Sequence, residues 1–336
     1  MKSLEDKNVL VLAPSFFGYE MSIKKALEQF GANVSLYNER PKNSFFVKSC
    51  IRLRLSFVIR KHIYSYYDSI LNETKDTSFD YLFLVNPEAI NKDIITSFKN
   101  QHPSITVLTY MWDSIVNKKN SSKLIEISDS FYSFDSNDVI RDSRVKFLPL
   151  FYTQDYARIS EVSNSRSIDV LFVGTIHSDR YALVSEVKKQ LLRKGRIVSI
   201  FLFCPSRILY FGRKVFSKNS QPKSYSEVSF KSASPDWLCE QITNSKAILD
   251  IEHPSQTGLT MRTIEMLGAK RKLITTNKNV LKYDFYNTNN ILVIDRSNVN
   301  IEDDFFDTDY EPLDISIYEK YSLNNWISTI FSDNSK

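Results

Sequence analysis

Two charged residues, Arg262 and Glu265, lie three positions apart in a segment whose pattern predicts a strand, a loop, a helix and a second strand. The segment runs from Ala247 to Asn277 and carries short apolar runs at both ends, as expected of buried parallel strands. We expect the helix to begin near Leu259–Thr260 and to end at Gly268. Residues three apart on a helix are neighbours, so Arg262 and Glu265 should share one face.

The start of this helix suits a phosphate group, because it offers free N–H groups and the positive end of the helix dipole. Arg262 would add a forked cation there. Glu265 lies about 5 Å further along the axis, where its carboxylate can accept hydrogen bonds from both hydroxyls of a ribose. The spacing therefore predicts that one helix holds nucleotide phosphates at Gly258, Thr260 and Arg262 and the ribose at Glu265. The alternative is an ordinary crossover helix with an exposed Arg–Glu pair.

The sequence TGLTMRTIEMLGAKRKLIT resembles the nucleotide-sugar-binding segment of GT-B glycosyltransferases, with Gly258, Glu265 and Lys270 in register. The likeness is to bacterial surface-polysaccharide transferases and the related spore-maturation type, and it is better over the C-terminal half of the chain. It implies an enzyme without metal or cofactor that uses a nucleotide-sugar as co-substrate. The implied acceptor is a polysaccharide or lipid-linked glycan, such as capsule or O-antigen.

One position departs from that family. Many retaining members carry a second acid eight residues before the ribose glutamate, and Thr257 stands there in this chain. The departure leaves the anomeric outcome open.

A second candidate donor contact follows the apolar run at 169–173, where the strand–loop–helix pattern restarts near the middle of the chain. In the family that FVGTIHSDR resembles, the matching loop faces the donor phosphates. Gly174 would let the backbone approach them, Thr175 beside it is assigned to donor binding, and Arg180 or His177 would assist. The alternative for Arg180 is a plain cation on a helix surface.

Candidate acceptor-side residues follow the predicted strands of the N-terminal half, since ligands of open parallel sheets bind at the carboxyl ends of strands. Glu20 lies in the first turn of its helix, where it is either a catalytic base or a complement to the helix dipole. Arg40 follows the second strand and is assigned to acceptor binding. Trp112 can stack on a sugar ring, and Asp113 can accept a proton from a nucleophile. The alternative is a rim tryptophan followed by an N-capping aspartate.

A length of 336 residues predicts two domains. Strand–helix–strand units at the start and middle of the chain predict two Rossmann-like, doubly wound parallel sheets that face a cleft, the GT-B fold. The expected domains are residues 1–150 for the acceptor and 151–315 for the donor, with a C-terminal helix over 316–336. That helix crosses back to the first domain in related folds. Residues 207–223 are expected to form a long basic, aromatic loop that either lines the cleft or contacts the membrane.

Composition excludes several classes of protein. A net charge of +5 does not indicate nucleic-acid binding. Three separated cysteines and four scattered histidines form neither a disulfide framework nor a zinc site. No apolar run is long enough for a membrane span and the N-terminus is not a secretory signal, so a cytoplasmic location is expected.

The segment 40–61 is basic and interleaved with apolar residues. It is either a solvated helix or a contact with the anionic inner face of the cell membrane. Two further functions stay open for the whole chain. One is a non-catalytic assembly or binding protein on the same fold, and the other is a nucleotide-sugar epimerase.

Overall fold

The computed structural model describes residues 4–41, 59–162, 166–176, 179–216, 224–254 and 257–332, without the side chains of 119 and 212–216. The chain divides into two units: Met1–Leu150 with Leu323–Lys336, and Phe151–Ser322. Each unit is built on a parallel sheet of six strands. The predicted fold class, two doubly wound parallel sheets with helices, is confirmed.

The first unit has the strand order β2-β1-β3-β4-β5-β6. Its strands are β1 (Asn8–Ala13), β2 (Asn33–Asn38), β3 (Tyr81–Val85), β4 (Thr106–Met111), β5 (Ser130–Ser133) and β6 (Val145–Phe147). Its helices up to residue 150 are α1 (Tyr19–Gln29), α2 (Arg60–Glu73), α3 (Lys92–Gln101), α4 (Lys119–Ser122) and α5 (Ser136–Arg141). The central strands are buried throughout, which explains their continuous apolar runs.

The second unit has the strand order β9-β8-β7-β10-β11-β12. Its strands are β7 (Ile168–Thr175), β8 (Val198–Phe203), β9 (Val228–Ser229), β10 (Ser245–Asp250), β11 (Lys272–Thr275) and β12 (Ile291–Val293). Its helices are α6 (Gln154–Ile159), α7 (Arg180–Arg193), α8 (Arg207–Phe216), α9 (Pro235–Thr243), α10 (Met261–Ala269) and α11 (Ile315–Lys320). The first and fourth strands of this unit are neighbours, so the strand order reverses between β7 and β10.

Two sequence-based expectations about helices are wrong. The long loop expected over 207–223 begins as α8, because the Ser206 hydroxyl accepts the Ile208 N–H at 3.2 Å and so supplies the cap that a helix start needs. The single closing helix is two helices, α11 and α12 (Leu323–Ser332). The break falls at Tyr321, whose carbonyl accepts the Tyr152 N–H at 2.9 Å.

Helix α12 belongs to the first unit, although it is the last element of the chain. The Trp326 ring packs against Tyr110 and Phe83, with centroid distances of 4.7 and 5.7 Å. Within the parts of the chain described here, no helix combines the length and apolar character required to cross a bilayer. Of the basic segment 40–61, residues 42–58 lie outside the described residues.

Candidate functional site

The point where the strand order of the second unit reverses brings together the residues predicted to bind the donor. β7 and β10 run in parallel as direct neighbours, so their carboxyl ends meet at one edge of the sheet. Ligands of open α/β sheets bind outside such a reversal point. The predicted donor residues all follow these two strands: Gly174, Thr175 and Arg180 follow or end β7, and Gly258, Thr260, Arg262 and Glu265 follow β10.

The start of α10 is tied to the end of β10 by Thr260, the N-cap of the helix. The Thr260 hydroxyl accepts the Thr263 N–H at 3.2 Å and donates to Asp250 Oδ2 at 2.6 Å. The Thr263 hydroxyl donates to the same oxygen at 2.9 Å. Burial raises the pKa of the Asp250 carboxyl, and these two hydroxyls act against the increase. The sequence analysis did not single out Asp250, because an acid that ends a strand has no motif of its own.

Arg262 and Glu265 form an ion pair one turn apart, with 3.0 Å between Arg262 Nη1 and Glu265 Oε2. Only 18% of the Arg262 side chain and 5% of the Glu265 side chain are exposed. The pair is therefore not the exposed Arg–Glu pair of an ordinary crossover helix. The Tyr156 hydroxyl of α6 also binds the Glu265 carboxylate, and burial with this carboxylate raises the Tyr156 pKa. A ribose hydroxyl at Glu265 would therefore share or displace these partners.

Two asparagines after β11 hold the loop that leads into α10. Asn277 Nδ2 donates to the Gly258 carbonyl at 3.1 Å, and Asn279 Nδ2 donates to the Thr257 carbonyl at 2.9 Å. Both contacts join a side-chain amide to a backbone carbonyl, so the backbone at Thr257 and Gly258 is held by side chains from outside this loop. The position at which related enzymes carry a second acid thus has a supported backbone.

Arg180 links the two strand ends across the reversal point. Its Nη1 donates to the Thr175 carbonyl at 3.1 Å, and its Nη2 donates to the Ile251 carbonyl. Burial lowers the Arg180 pKa, so Arg180 is not a plain surface cation. A Cβ on Gly174 would lie 2.7 Å from the Phe172 ring and 3.4 Å from Arg180 Nη1. Glycine is therefore needed for this packing, whether or not a phosphate approaches.

Arg296 is a third guanidinium at this sheet edge, besides Arg262 and Arg180, and sequence reasoning missed it. It pairs with Asp179 at 2.8 Å and with Glu252 Oε1 at 2.9 Å. Thr276 donates its hydroxyl to the other oxygen of Glu252. These residues come from four separate loops, so no local spacing could have grouped them. His177 lies outside the described residues.

In the first unit, Arg40 is buried in a network of acids. Its Nε lies 3.2 Å from Glu39 and its Nη2 lies 2.9 Å from Glu88. Glu39 also accepts the backbone N–H groups of Glu88, Ala89 and Ile90. Burial raises the pKa of Glu39 to about 7, against the lowering effect of Arg40. The acceptor role of Arg40 stays a prediction, and the guanidinium already has two carboxylate partners.

Trp112 and Asp113 follow β4, and each has close neighbours. The Trp112 ring lies 6.1 Å from Phe16, in the loop after β1. Asp113 Oδ2 lies 3.3 Å from Lys118 Nζ and accepts from Asn86 Nδ2 at 3.2 Å, while 49% of the Asp113 side chain remains exposed. Asp113 does not cap the next helix, because the N-cap of α4 is Lys118.

Glu20 turns its carboxylate back onto the loop that precedes α1, where its Oε2 accepts the Phe16 N–H at 3.1 Å. Glu20 therefore ties this loop to the first turn of α1, besides its favourable place at the positive end of the helix dipole. Its role as a base stays a prediction. Among the residues that the structure describes, no group of three or more His, Cys, Asp or Glu side chains is arranged to hold a metal ion.

Comparison with known proteins places this chain by its fold. No protein-family model matches it, and no curated protein sequence does. Anabaena Alr3699/HepE, solved in complex with UDP and glucose, is 10% identical with a TM-score of 0.57, over 98% of this chain and 100% of that one. The lipopolysaccharide outer core galactosyltransferase WaaB is 14% identical with a TM-score of 0.50, over 97% and 99%.

A UDP-GlcNAc 2-epimerase is similar to the same extent. The enzyme from Methanocaldococcus jannaschii, in complex with UDP-GlcNAc and UDP, is 12% identical with a TM-score of 0.50, over 98% of this chain and 93% of that one. Identities this low show the fold alone. The GT-B fold that the sequence resemblance implies is confirmed.

Proposed function

We propose that this chain is a glycosyltransferase that moves a sugar from a nucleotide-activated donor to a glycan acceptor. One observation carries the proposal: α10 starts at the reversal point of the second sheet, with Arg262 and Glu265 one turn apart. A diphosphate at the helix start would lie beside Arg262, and its ribose would lie beside Glu265. Structurally similar proteins solved with UDP support a nucleotide ligand.

The donor side supplies charge stabilisation. Glycosyl transfer passes through a state in which negative charge grows on the leaving phosphate. The N–H groups at the start of α10 and the Arg262 guanidinium stabilise that charge. Thr260 and Asp250 already hold this helix start in place, so little reorganisation is needed when the donor binds.

The acceptor side is the carboxyl edge of the first sheet. Trp112 stacks on an acceptor sugar, and Asp113 takes the proton of the attacking hydroxyl if the reaction inverts configuration. Lys118 and Asn86 fix the orientation of the Asp113 carboxylate. Glu20 is the second candidate base. The acceptor is a polysaccharide or a lipid-linked glycan of capsule or O-antigen type, and the basic segment 40–61 contacts an anionic membrane.

The proposal includes no metal ion and no cofactor besides the nucleotide-sugar. Arg262 and the start of α10, instead of a metal ion, stabilise the negative charge on the leaving phosphate. Excess EDTA should therefore leave the transfer rate unchanged.

The experiment that tests the proposal is a panel of nucleotides. UDP, GDP, CMP and dTDP are each added to the wild-type chain, and thermal unfolding is followed. A bound nucleotide at about 100 times its Kd adds roughly 2.7 kcal/mol of stability, which raises Tm by a few degrees for a chain of this size. One base should give this shift. A panel without any shift would contradict the proposal and favour a non-catalytic assembly protein.

An epimerase is the second candidate, because a UDP-GlcNAc 2-epimerase shares the fold over nearly the whole chain. The two activities differ in their need for an acceptor. An epimerase converts the nucleotide-sugar when it is the only substrate present, whereas a transferase needs a glycan to accept the sugar. Incubation of the nucleotide-sugar with the chain, with and without glycan, separates the two by product analysis.

A further inference from the structure

Helix α8 has apolar side chains on two opposite sides. Tyr210 is fully buried and Leu209 packs against the core of the second unit. Ile208 and Phe211 are 84% and 56% exposed. Leu209 and Tyr210 therefore form the side of α8 that faces the core, and Ile208 and Phe211 lie on the other side. An exposed apolar pair of this kind calls for a surface that covers it.

The exposed pair rests on a cluster of aromatic rings. The Tyr225 ring lies 5.5 Å from Phe211, 5.0 Å from Tyr210 and 5.2 Å from Phe230. Tyr225 is itself 38% exposed, and its ring contacts the exposed ring of Phe211. We call Ile208, Phe211 and Tyr225 the apolar patch. The rings of Phe211 and Tyr225 are held by contacts with Tyr210 and Phe230, so these two side chains of the patch keep a fixed place at the surface.

Positive charge lies near this patch, through Arg207 in the structure and through the basic residues that follow it in the sequence. The guanidinium of Arg207 lies 5.6 Å from the centre of the Phe230 ring, at the base of the cluster. Residues 187–226 contain ten basic residues and no acid, whereas the whole chain has a net charge of only +5. Five of them, Arg207, Arg213, Lys214, Lys218 and Lys223, lie in α8 or within seven residues after it, whereas Lys189, Lys194 and Arg196 pair with acids outside this segment.

We propose that the apolar patch docks onto a membrane surface that contains anionic lipid. Short helices that combine exposed Ile and Phe with Arg and Lys bind at the boundary between headgroups and acyl chains. Tyrosine suits the same depth, because its ring is apolar and its hydroxyl is polar. The positive charge of Arg207 and of the basic residues that follow it in the sequence complements anionic headgroups. The partner of this patch is therefore a lipid surface, in which the apolar side chains contact acyl chains and the basic side chains contact anionic headgroups.

This site is separate from the segment 40–61, and it does not depend on the glycosyltransferase proposal. If that proposal holds as well, membrane docking would bring the donor-binding unit to a lipid-linked acceptor. The nucleotide panel and the vesicle experiment can fail independently of each other.

The test is flotation with lipid vesicles. Wild-type chain is mixed with vesicles of phosphatidylcholine alone, or of phosphatidylcholine with about one-third phosphatidylglycerol, which sets the negative surface potential. We expect flotation with the anionic vesicles only, and less of it as salt is raised. The double variant Ile208→Ser with Phe211→Ser should bind at least about tenfold more weakly.

Ile140→Ser is the matched control, since Ile140 is 82% exposed on α5 of the first unit. It should float as the wild type does. Charge reversal at Arg213 and Lys214 should weaken binding without removal of an apolar side chain. Equal thermal unfolding of all variants would show that they are folded. We expect this result, because the substituted positions are exposed or, at 213 and 214, charged.

Four results would overturn the inference. The wild type fails to float with anionic vesicles, or the double variant floats as well as the wild type. The third is a dimer by light scattering that the double variant dissociates, without vesicle binding, in which case the patch covers a second copy. Loss of flotation only on charge reversal at Lys48, Arg52 and Arg54 would make segment 40–61 the membrane contact instead.

Discussion

Glu265 illustrates how a residue chosen for ligand chemistry can also be a structural partner. Its carboxylate joins Arg262 of its own helix and Tyr156 of α6. An alanine there would leave a buried cation and a buried hydroxyl without this acceptor, so loss of binding could simply reflect loss of structure. Glutamine keeps an acceptor oxygen and removes only the charge, which makes it the better test of the ribose contact.

We therefore predict that Glu265→Gln weakens binding of the nucleotide selected by the panel by about tenfold or more, as expected for loss of a charged hydrogen bond. Isothermal titration calorimetry measures the change. Glu240→Gln, at an exposed position of α9, should bind as the wild type does. Unchanged affinity in Glu265→Gln, with thermal stability preserved, would remove the ribose role.

Glu39 gives a prediction about pH. Burial raises its pKa from 4.5 to about 7 in the folded chain, so the folded state holds a proton that the unfolded chain releases. The stability that this group contributes is complete below about pH 4.5 and is lost as pH rises through about 7. The loss is on the order of 3 kcal/mol at most.

Glu39→Gln cannot ionise, and its stability should not show this loss. Urea unfolding of both chains at pH 5 and pH 8 measures the effect: the wild type should lose more stability than the variant between the two values. The exposed Glu302→Gln serves as a control and should follow the wild type. A pH dependence in Glu39→Gln as steep as in the wild type would contradict the assignment.

At the scale of elements, α10 ends one residue later than its pattern predicts. The helix continues through Gly268 to Ala269, and Lys270 adopts the left-handed conformation with φ of 48°. The Arg271 N–H then returns to the Met266 carbonyl at 3.0 Å, which closes the helix end. Gly268 is therefore not the stop signal, and it serves a packing purpose instead.

That purpose is close contact with Tyr152. A Cβ on Gly268 would overlap the Tyr152 ring, so Gly268→Ala should destabilise the chain by roughly 1–3 kcal/mol through overpacking. Urea unfolding measures the change. Adding Tyr152→Ala should relieve the clash, so the double variant should lose less stability than the sum of the two single changes. Additive losses would show that the clash is absent.

At the scale of the whole molecule, the chain completes its first unit with its last helix. Trp326 is buried against Phe83 and Tyr110, and Phe331 packs against Tyr81 at 5.1 Å. The core of residues 4–150 is thus finished only after the whole second unit has been synthesised. Removal of one large ring from this core typically costs about 3–5 kcal/mol.

Trp326→Ala should therefore loosen the first unit selectively. Hydrogen exchange followed by mass spectrometry should show faster exchange in peptides from β3 and β4 than in the wild type. Peptides from β10 and β11 are the internal reference and should change little. Equal acceleration in both sets, or in neither, would contradict the assignment of α12 to the first unit.

The sequence by itself determined the features that depend on local periodicity. Apolar runs marked the parallel strands, and the segment around Arg262 and Glu265 predicted the strand, the loop and the helix that the structure contains, because each depends on residues within one turn or one strand. The family resemblance of the same segment indicated the GT-B fold.

The tertiary structure decided which polar residues meet. Asp250 at the end of β10, Asn277 and Asn279 after β11, and Arg296 after β12 come together at the candidate donor site, and Tyr156 reaches Glu265 from another helix. Such contacts depend on strand order, since only the pairing of β7 with β10 brings these strand ends together. Patterns along a chain have periods of two or 3.6 residues, and they contain no information about which distant loops become neighbours.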